Sequence, residues 1–149
     1  MKLRIYIDTS VVGGCRDQEF AEPSRALFEM ARRGEITLLL SELLTKELTL
    51  APAEVRAVVA DVPPEQLEVV PLYPEAECLR DGYLQAGIVG PAAAEDAHHV
   101  ALATVARADL ILSWNFKHIV HVDKIRLFNA VNLMQGYGAI DIRSPLEVV

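Results

Sequence analysis

Four short apolar runs, LRIYID, EITLLL, LEVVPL and DLILSW, recur along the chain, and each is followed by sequence that can form a helix. This alternation constrains the fold more than any other feature. A strand that leads into a helix of about ten residues or more and then into another strand returns parallel to the first, and helices cover both faces of the sheet. The expected architecture is a three-layer α/β/α fold with a mainly parallel central sheet. Helices are expected over EPSRALFEMARRG, ELLTKELTLA, PAEVRAVVADV, PEAECLRDGYLQAG, PAAAEDAHHVALATVARA and DKIRLFNAVNLMQG, with a chain break at Gly13-Gly14 and an extended AIDIRSPLEVV at the end. Pro23 suits a first helical turn, Ser41 is placed to cap the second helix, and Gly34 follows the last turn of the first. In parallel sheets ligands bind beyond the carboxyl ends of the strands. Attention therefore falls on Asp8, which closes the first run, and on the residues after LILSW.

Helical geometry, at about 100° per residue, separates inward from outward acids. In ELLTKELTLA the apolar face is Leu43, Leu44, Leu48 and Ala51; Glu47 falls inside that face and Glu42 opposite it. A glutamate is rarely buried without a partner, so Glu47 either pairs with an arginine or belongs to a site. In PAAAEDAHHVALATVARA one face holds Ala93, Ala97, Val100, Ala101, Thr104 and Ala108. Asp96 lies at the edge of that face, and is either an ordinary helix-start acid favoured by the macrodipole or a site residue. Glu95 and His99 point away from the face, toward water, and His98 lies on its other flank, bordering the site. Adjacent histidines cannot share the i,i+4 face used by helical metal pairs. Asp8 reads equally as a turn acid or as a site acid.

Inward acids on three separate elements repel one another unless a cation lies among them. Carboxylate oxygens with retained waters are the donors that Mg²⁺ or Mn²⁺ prefers, and such an ion activates water and steadies charge on a phosphoryl oxygen. SWNFKHIVHVDKIR falls at the same end of the sheet. Asn115 offers a neutral oxygen there, and Lys117, His118, His121, Lys124 and Arg126 form the most basic stretch, read either as a solvated helix start or as a strip for phosphate contacts. Trp114 and Phe116 can stack on bases, with at least one expected in the core.

The chain's 149 residues are enough for one domain, 1–149, with a full core, and 52% of them are hydrophobic. Its net charge of −7 argues against generic charge-driven nucleic-acid binding, though clustered acids that hold cations bring positive charge to a phosphate by another route. Cys15 and Cys78 lack paired spacing and read as buried, reduced thiols. No apolar run is long enough to span a bilayer and the start lacks a signal-peptide pattern, so a cytoplasmic location is expected.

Four stretches, YIDTSVV, LLLSELLTKEL, AEDAHHVALAT and LILSWNFKHI, together resemble the PIN domain family in order and spacing over nearly the whole chain. That family comprises small metal-dependent ribonucleases, among them the VapC-type toxins of toxin–antitoxin pairs. The resemblance implies an active site of Asp8, Glu47 and Asp96 holding Mg²⁺ or Mn²⁺, and hydrolysis of RNA by water activated there. Asn115 stands where the family often has a fourth acid, and would contribute a ligand oxygen without charge. Ser10, with Thr9, resembles the family's small hydroxyl residues; Ser10, Lys117 and His118 are expected on the substrate side. An antitoxin partner and a homodimer are also implied.

Two other readings compete. Asn115 leaves room for a weak or inactive PIN-like domain that works as a binding protein. A phosphatase with Asp8 as nucleophile is disfavoured, because Ser10 stands where the best-known enzymes of that type carry a second acid.

Overall fold

A computed structural model describes residues 2–149. Five strands form one parallel sheet: β1 (Leu3–Ile7), β2 (Ile36–Ser41), β3 (Leu67–Val70), β4 (Leu110–Leu112) and β5 (Asp141–Arg143), in the order β3-β2-β1-β4-β5. The seven α-helices among the described residues are α1 (Thr9–Gly14), α2 (Ala21–Arg32), α3 (Glu42–Leu48), α4 (Ala53–Ala60), α5 (Pro74–Gln85), α6 (Ala94–Val105) and α7 (Val122–Met134). The expected α/β architecture with its parallel sheet is the one observed.

Side chains alternate across the sheet with the strand period of two. Ile5, Ile7, Leu38, Leu40, Leu110 and Leu112 point into one core, which α1, α2, α3 and α4 complete through Val11, Leu27, Phe28, Leu44 and Val55. Tyr6, Leu39 and Ile111 point into the other, with α5, α6 and α7 supplying Leu79, Tyr83, Val100 and Phe128. The central strands β1, β2 and β4 are thus buried on both faces over most of their length, which is why their runs read as nearly continuous apolar stretches, whereas the edge strand β3 leaves Val69 exposed.

The helix starts and stops follow local chemistry. Ser41 caps α3 by accepting from the Leu44 N–H at 3.1 Å. Gly34, directly after α2, has φ of +75°, a conformation that glycine adopts without a Cβ clash.

Two local expectations fail. Gly13-Gly14 does not break the chain but ends α1, a six-residue helix whose start Asp8 caps by accepting from the Val11 N–H at 3.3 Å. That one cap, with packing on the sheet, outweighs the low helix propensity of two glycines. The second concerns α6, where every residue from Ala97 to Thr104 is buried. The helix lies on the sheet and packs against α5 as well, so it has no water-facing side over those two turns. A single apolar face was the wrong description for it. No helix among the described residues is long and apolar enough to cross a membrane.

Candidate active site

The chain runs from β1 to β2 to β3 toward one edge of the sheet, and β4 and β5 then extend it on the other side of β1. The order of strands therefore reverses between β1 and β4, and crevices at such switch points are where open α/β sheets bind ligands. Asp8 follows β1 and Ser113 follows β4, so both stand at this point.

Asp8 is only 3% exposed. Ser10 and Ser113 each donate a hydroxyl to its carboxylate at 2.5 Å, one to each oxygen. Burial pushes the Asp8 carboxyl above its ordinary range, against the opposing pull of nearby His99, both serines and the Val11 N–H. Ser10 also accepts from the Trp114 N–H at 2.9 Å, and Ser113 from the Asn115 N–H at 2.9 Å. These bonds tie the loop after β4 to the start of α1. Ser113 carried no signal in the sequence, since a serine after a strand resembles any turn residue.

Glu47 projects from α3 and is half-buried. Its carboxylate accepts from the Thr9 hydroxyl at 2.7 Å and pairs with His99 Nε2 at 3.0 Å. Burial alone would raise its pKa, but the bonds from His99 and Thr9 prevail and hold the group below the usual glutamate value. Its partner is thus a histidine rather than an arginine.

His99 is the largest correction to the sequence reading. It is 3% exposed instead of facing water, and its Nδ1 lies 2.7 Å from the hydroxyl of fully buried Tyr6. The side of α6 opposite the alanine face carries this ring into the core, where Tyr6 and Glu47 meet it. His98 is also buried, at 7%. Its charged neighbours are Arg80, Glu77 and Asp81 of α5, and its Nε2 is buried without a hydrogen-bond partner among the described residues.

Asp96 is half-buried, as its position at the edge of the helical face implied. Among the described residues, no three of the Asp, Glu, His and Cys side chains converge closely enough to form a metal cage. The donor set nonetheless suits a hard divalent cation. Mg²⁺ is commonly held by one or two carboxylates together with waters and substrate oxygens, and Asp8 and Glu47 offer two carboxylates flanked by hydroxyls. Asn115 is half-buried; its Oδ1 accepts from the His118 N–H at 2.9 Å, a local capping role that occupies part of its acceptor capacity.

The basic stretch separates into parts. Lys117 is exposed and His118 half-buried. Lys124 instead donates to the Ile88 carbonyl at 2.7 Å, and His121 caps α7 by accepting from the Asp123 N–H at 3.3 Å. Trp114 belongs to the core: it stacks on Phe20 with centroids 4.2 Å apart and donates from Nε1 to Ser24 at 2.8 Å. Phe116 is 46% exposed. A cleft of about 420 Å³ opens between Ser10, Gly13, Phe20, Trp114 and Asn115, next to Asp8. Cys15 is buried, whereas Cys78 is exposed on α5 rather than buried as expected; both are free thiols.

No protein-family model and no curated protein sequence matches this chain. Solved structures do. The DNA-bound VapBC of Salmonella typhimurium aligns at a TM-score of 0.57 and 18% identity, over 96% of this chain and 98% of that one. VapC20 of Mycobacterium tuberculosis, a sarcin-ricin loop cleaving toxin, aligns at 0.57 and 14%, over 92% and 98%. FitAcB of Neisseria gonorrhoeae aligns at 0.57 and 14%, over 95% and 98%. At these identities the likeness establishes the architecture: this chain has the PIN-type fold of the VapC proteins.

Proposed function

We propose that this protein is a divalent-metal-dependent ribonuclease that hydrolyses RNA phosphodiester bonds, working as the toxin of a toxin–antitoxin pair with an antitoxin protein as partner. One observation carries the reading: a nearly dry aspartate, ringed by hydroxyl donors, at the switch point of a VapC-like sheet with Glu47 beside it. A fold built for packing alone gains a helix cap from this side chain but is disfavoured by its charge, which burial penalises and an uncharged cap would avoid.

Asp8 and Glu47, with Asp96 at the rim and the Asn115 oxygen, would hold Mg²⁺ or Mn²⁺. When bound, such an ion supplies an activated water and neutralises charge on the phosphoryl oxygens. The chain's own residues supply the rest. Ser10 and Ser113 orient the Asp8 oxygens, and Thr9 and His99 fix the Glu47 oxygens. Lys117 and His118 meet phosphates on the substrate side, and Ser10 reaches the cleft where RNA would lie.

Titrating Mn²⁺ into wild type and Asp96→Asn, by calorimetry or paramagnetic broadening, tests this reading. Binding in the wild type that Asp96→Asn weakens by about tenfold or more supports it. Absence of binding at millimolar Mn²⁺ sinks it.

A second reading has its own observations, the capping role of the Asn115 oxygen and the lack, among the described residues, of a preformed three-acid cage. It makes the chain a partner-binding domain without catalysis, and it takes the second outcome of the same titration.

A further inference from the structure

The bond between His99 and Glu47 joins α6 to α3. Glu47 carries acceptors only, so the proton in this bond belongs to His99 Nε2. In that tautomer Nδ1 is an acceptor, and the atom facing it at 2.7 Å is the Tyr6 hydroxyl. Tyr6 has no exposed surface and retains its proton, so it donates. A relay of two bonds therefore leads from Tyr6 on β1 through His99 on α6 to Glu47 on α3.

The ring has no rotational freedom. It packs edge-on to Tyr6 with centroids 5.8 Å apart and both nitrogens are engaged. A glutamate has three side-chain torsions to fix, and one half-buried on a seven-residue helix is poorly constrained by packing alone. His99 constrains Oε1 and Thr9 constrains Oε2. His99 also follows Asp96 by about one helical turn, so α6 carries both the partner of Glu47 and the candidate acid Asp96.

We propose that His99 is a positioning residue, locked as the Nε2–H tautomer by the Tyr6 hydroxyl, which aims the Glu47 carboxylate at the divalent cation. The inference rests on the metal-dependent reading above. Partners that orient ligating side chains typically account for a 10–100-fold difference in metal affinity. His99→Leu removes the donor and keeps an apolar side chain. His99→Gln restores an N–H donor in reach of Glu47, and Tyr6→Phe removes only the locking hydroxyl.

The test is Mn²⁺ affinity by calorimetry on the full chain for wild type and all three variants, each first shown to be folded by circular dichroism. Imidazole ¹⁵N shifts of the wild type and Tyr6→Phe are recorded alongside. The expected results are a loss of about tenfold or more in His99→Leu, recovery of most of it in His99→Gln, and an Nε2–H signature in wild type that becomes mixed in Tyr6→Phe. Wild-type binding with His99→Leu unchanged, or with Leu and Gln equally weakened, overturns the positioning role while sparing the metal site. A protonated Nδ1 in the wild type overturns the relay whatever the metal does. A wild type that binds no Mn²⁺ overturns the metal reading and this inference together.

Discussion

Asp8 pays for its position in stability. Its pKa is raised, first by burial, so the ionised form is less favoured in the fold than in the unfolded chain. Stability from this group rises as pH falls through the folded value, and at neutral pH its charge is a strain. Asp8→Asn keeps a side-chain oxygen to cap α1 and removes the charge. The expected outcome in metal-free buffer at neutral pH is a gain of about 1 kcal/mol, seen as a rise of roughly 2–4 °C in melting temperature, together with loss of Mn²⁺ binding. A destabilised variant would show that the carboxylate serves the fold instead. His98 works the other way. Its pKa is lowered from 6.5, burial being the main cause and Arg80 and His99 adding to it, while Glu77 and Asp81 oppose. Stability from neutral His98 is complete above the unfolded value and falls as pH drops below 6.5 toward the folded value. His98→Leu should flatten that decline, leaving the melting temperature less sensitive to acid by a few degrees; thermal scans through the histidine range decide it. Asp8, Glu47 and the partial burial of Asp96 were legible in the sequence because each broke a pattern, an acid ending an apolar strand or lying on or beside an apolar helical face. His99 was not, because no pattern was broken: a histidine opposite an alanine face looks solvated until the second face of the helix is known.

At the scale of elements, α1 was hidden by its glycines, and the structure distinguishes the two. A Cβ on Gly14 would lie 2.6 Å from Ser24 Oγ and 2.7 Å from Trp114 Nε1, between the partners of the bond that anchors the only tryptophan. A Cβ on Gly13 would meet nothing within 4 Å. Gly14→Ala should therefore cost about 1–3 kcal/mol and shift the tryptophan emission as Trp114 is displaced. Gly13→Ala should stabilise by about 0.5–1 kcal/mol with the emission unchanged. Equal effects from the two substitutions would contradict the packing of α1 against Trp114. The strands and most of the longer helices were readable from their apolar period rather than from caps, since α2, α4, α5 and α6 have no side-chain cap bond. The helical period of about 3.6 residues had no room to appear in the six residues of α1, and β5, three residues long, could be read only as extended chain.

For the whole molecule, the question is how a chain of net charge −7 holds an anionic polymer at all. Phosphate contacts by lysine and arginine displace counterions, and for single strands the logarithm of affinity falls with the logarithm of salt by about 0.7 per phosphate contacted. Most cations here are committed elsewhere. Arg4 pairs with Glu68, Arg16 with Glu54, Arg32 and Arg33 with Glu29, Arg80 with Asp81, and Arg143 with Asp141 and Glu147, while Lys2 donates to Gln66, Arg56 to the Ala51 carbonyl and Lys124 to the Ile88 carbonyl. Near the switch point Lys117 is exposed, beside exposed Phe116. A protein of this design should bind RNA weakly without divalent ions, with a salt slope of only about −0.7 to −1.4, and more tightly once Mn²⁺ is added. Lys117→Ala should lower the slope by about 0.7, whereas Phe116→Ala should weaken binding by about 1–3 kcal/mol with the slope unchanged, because stacking releases no counterions. Fluorescence anisotropy of the otherwise wild-type chain with a short labelled RNA, made cleavage-resistant by phosphorothioate linkages, measures all three. A steep slope that persists in EDTA would mean that RNA is held on another face by the paired arginines, and that the acid cluster is not where substrate and ion meet.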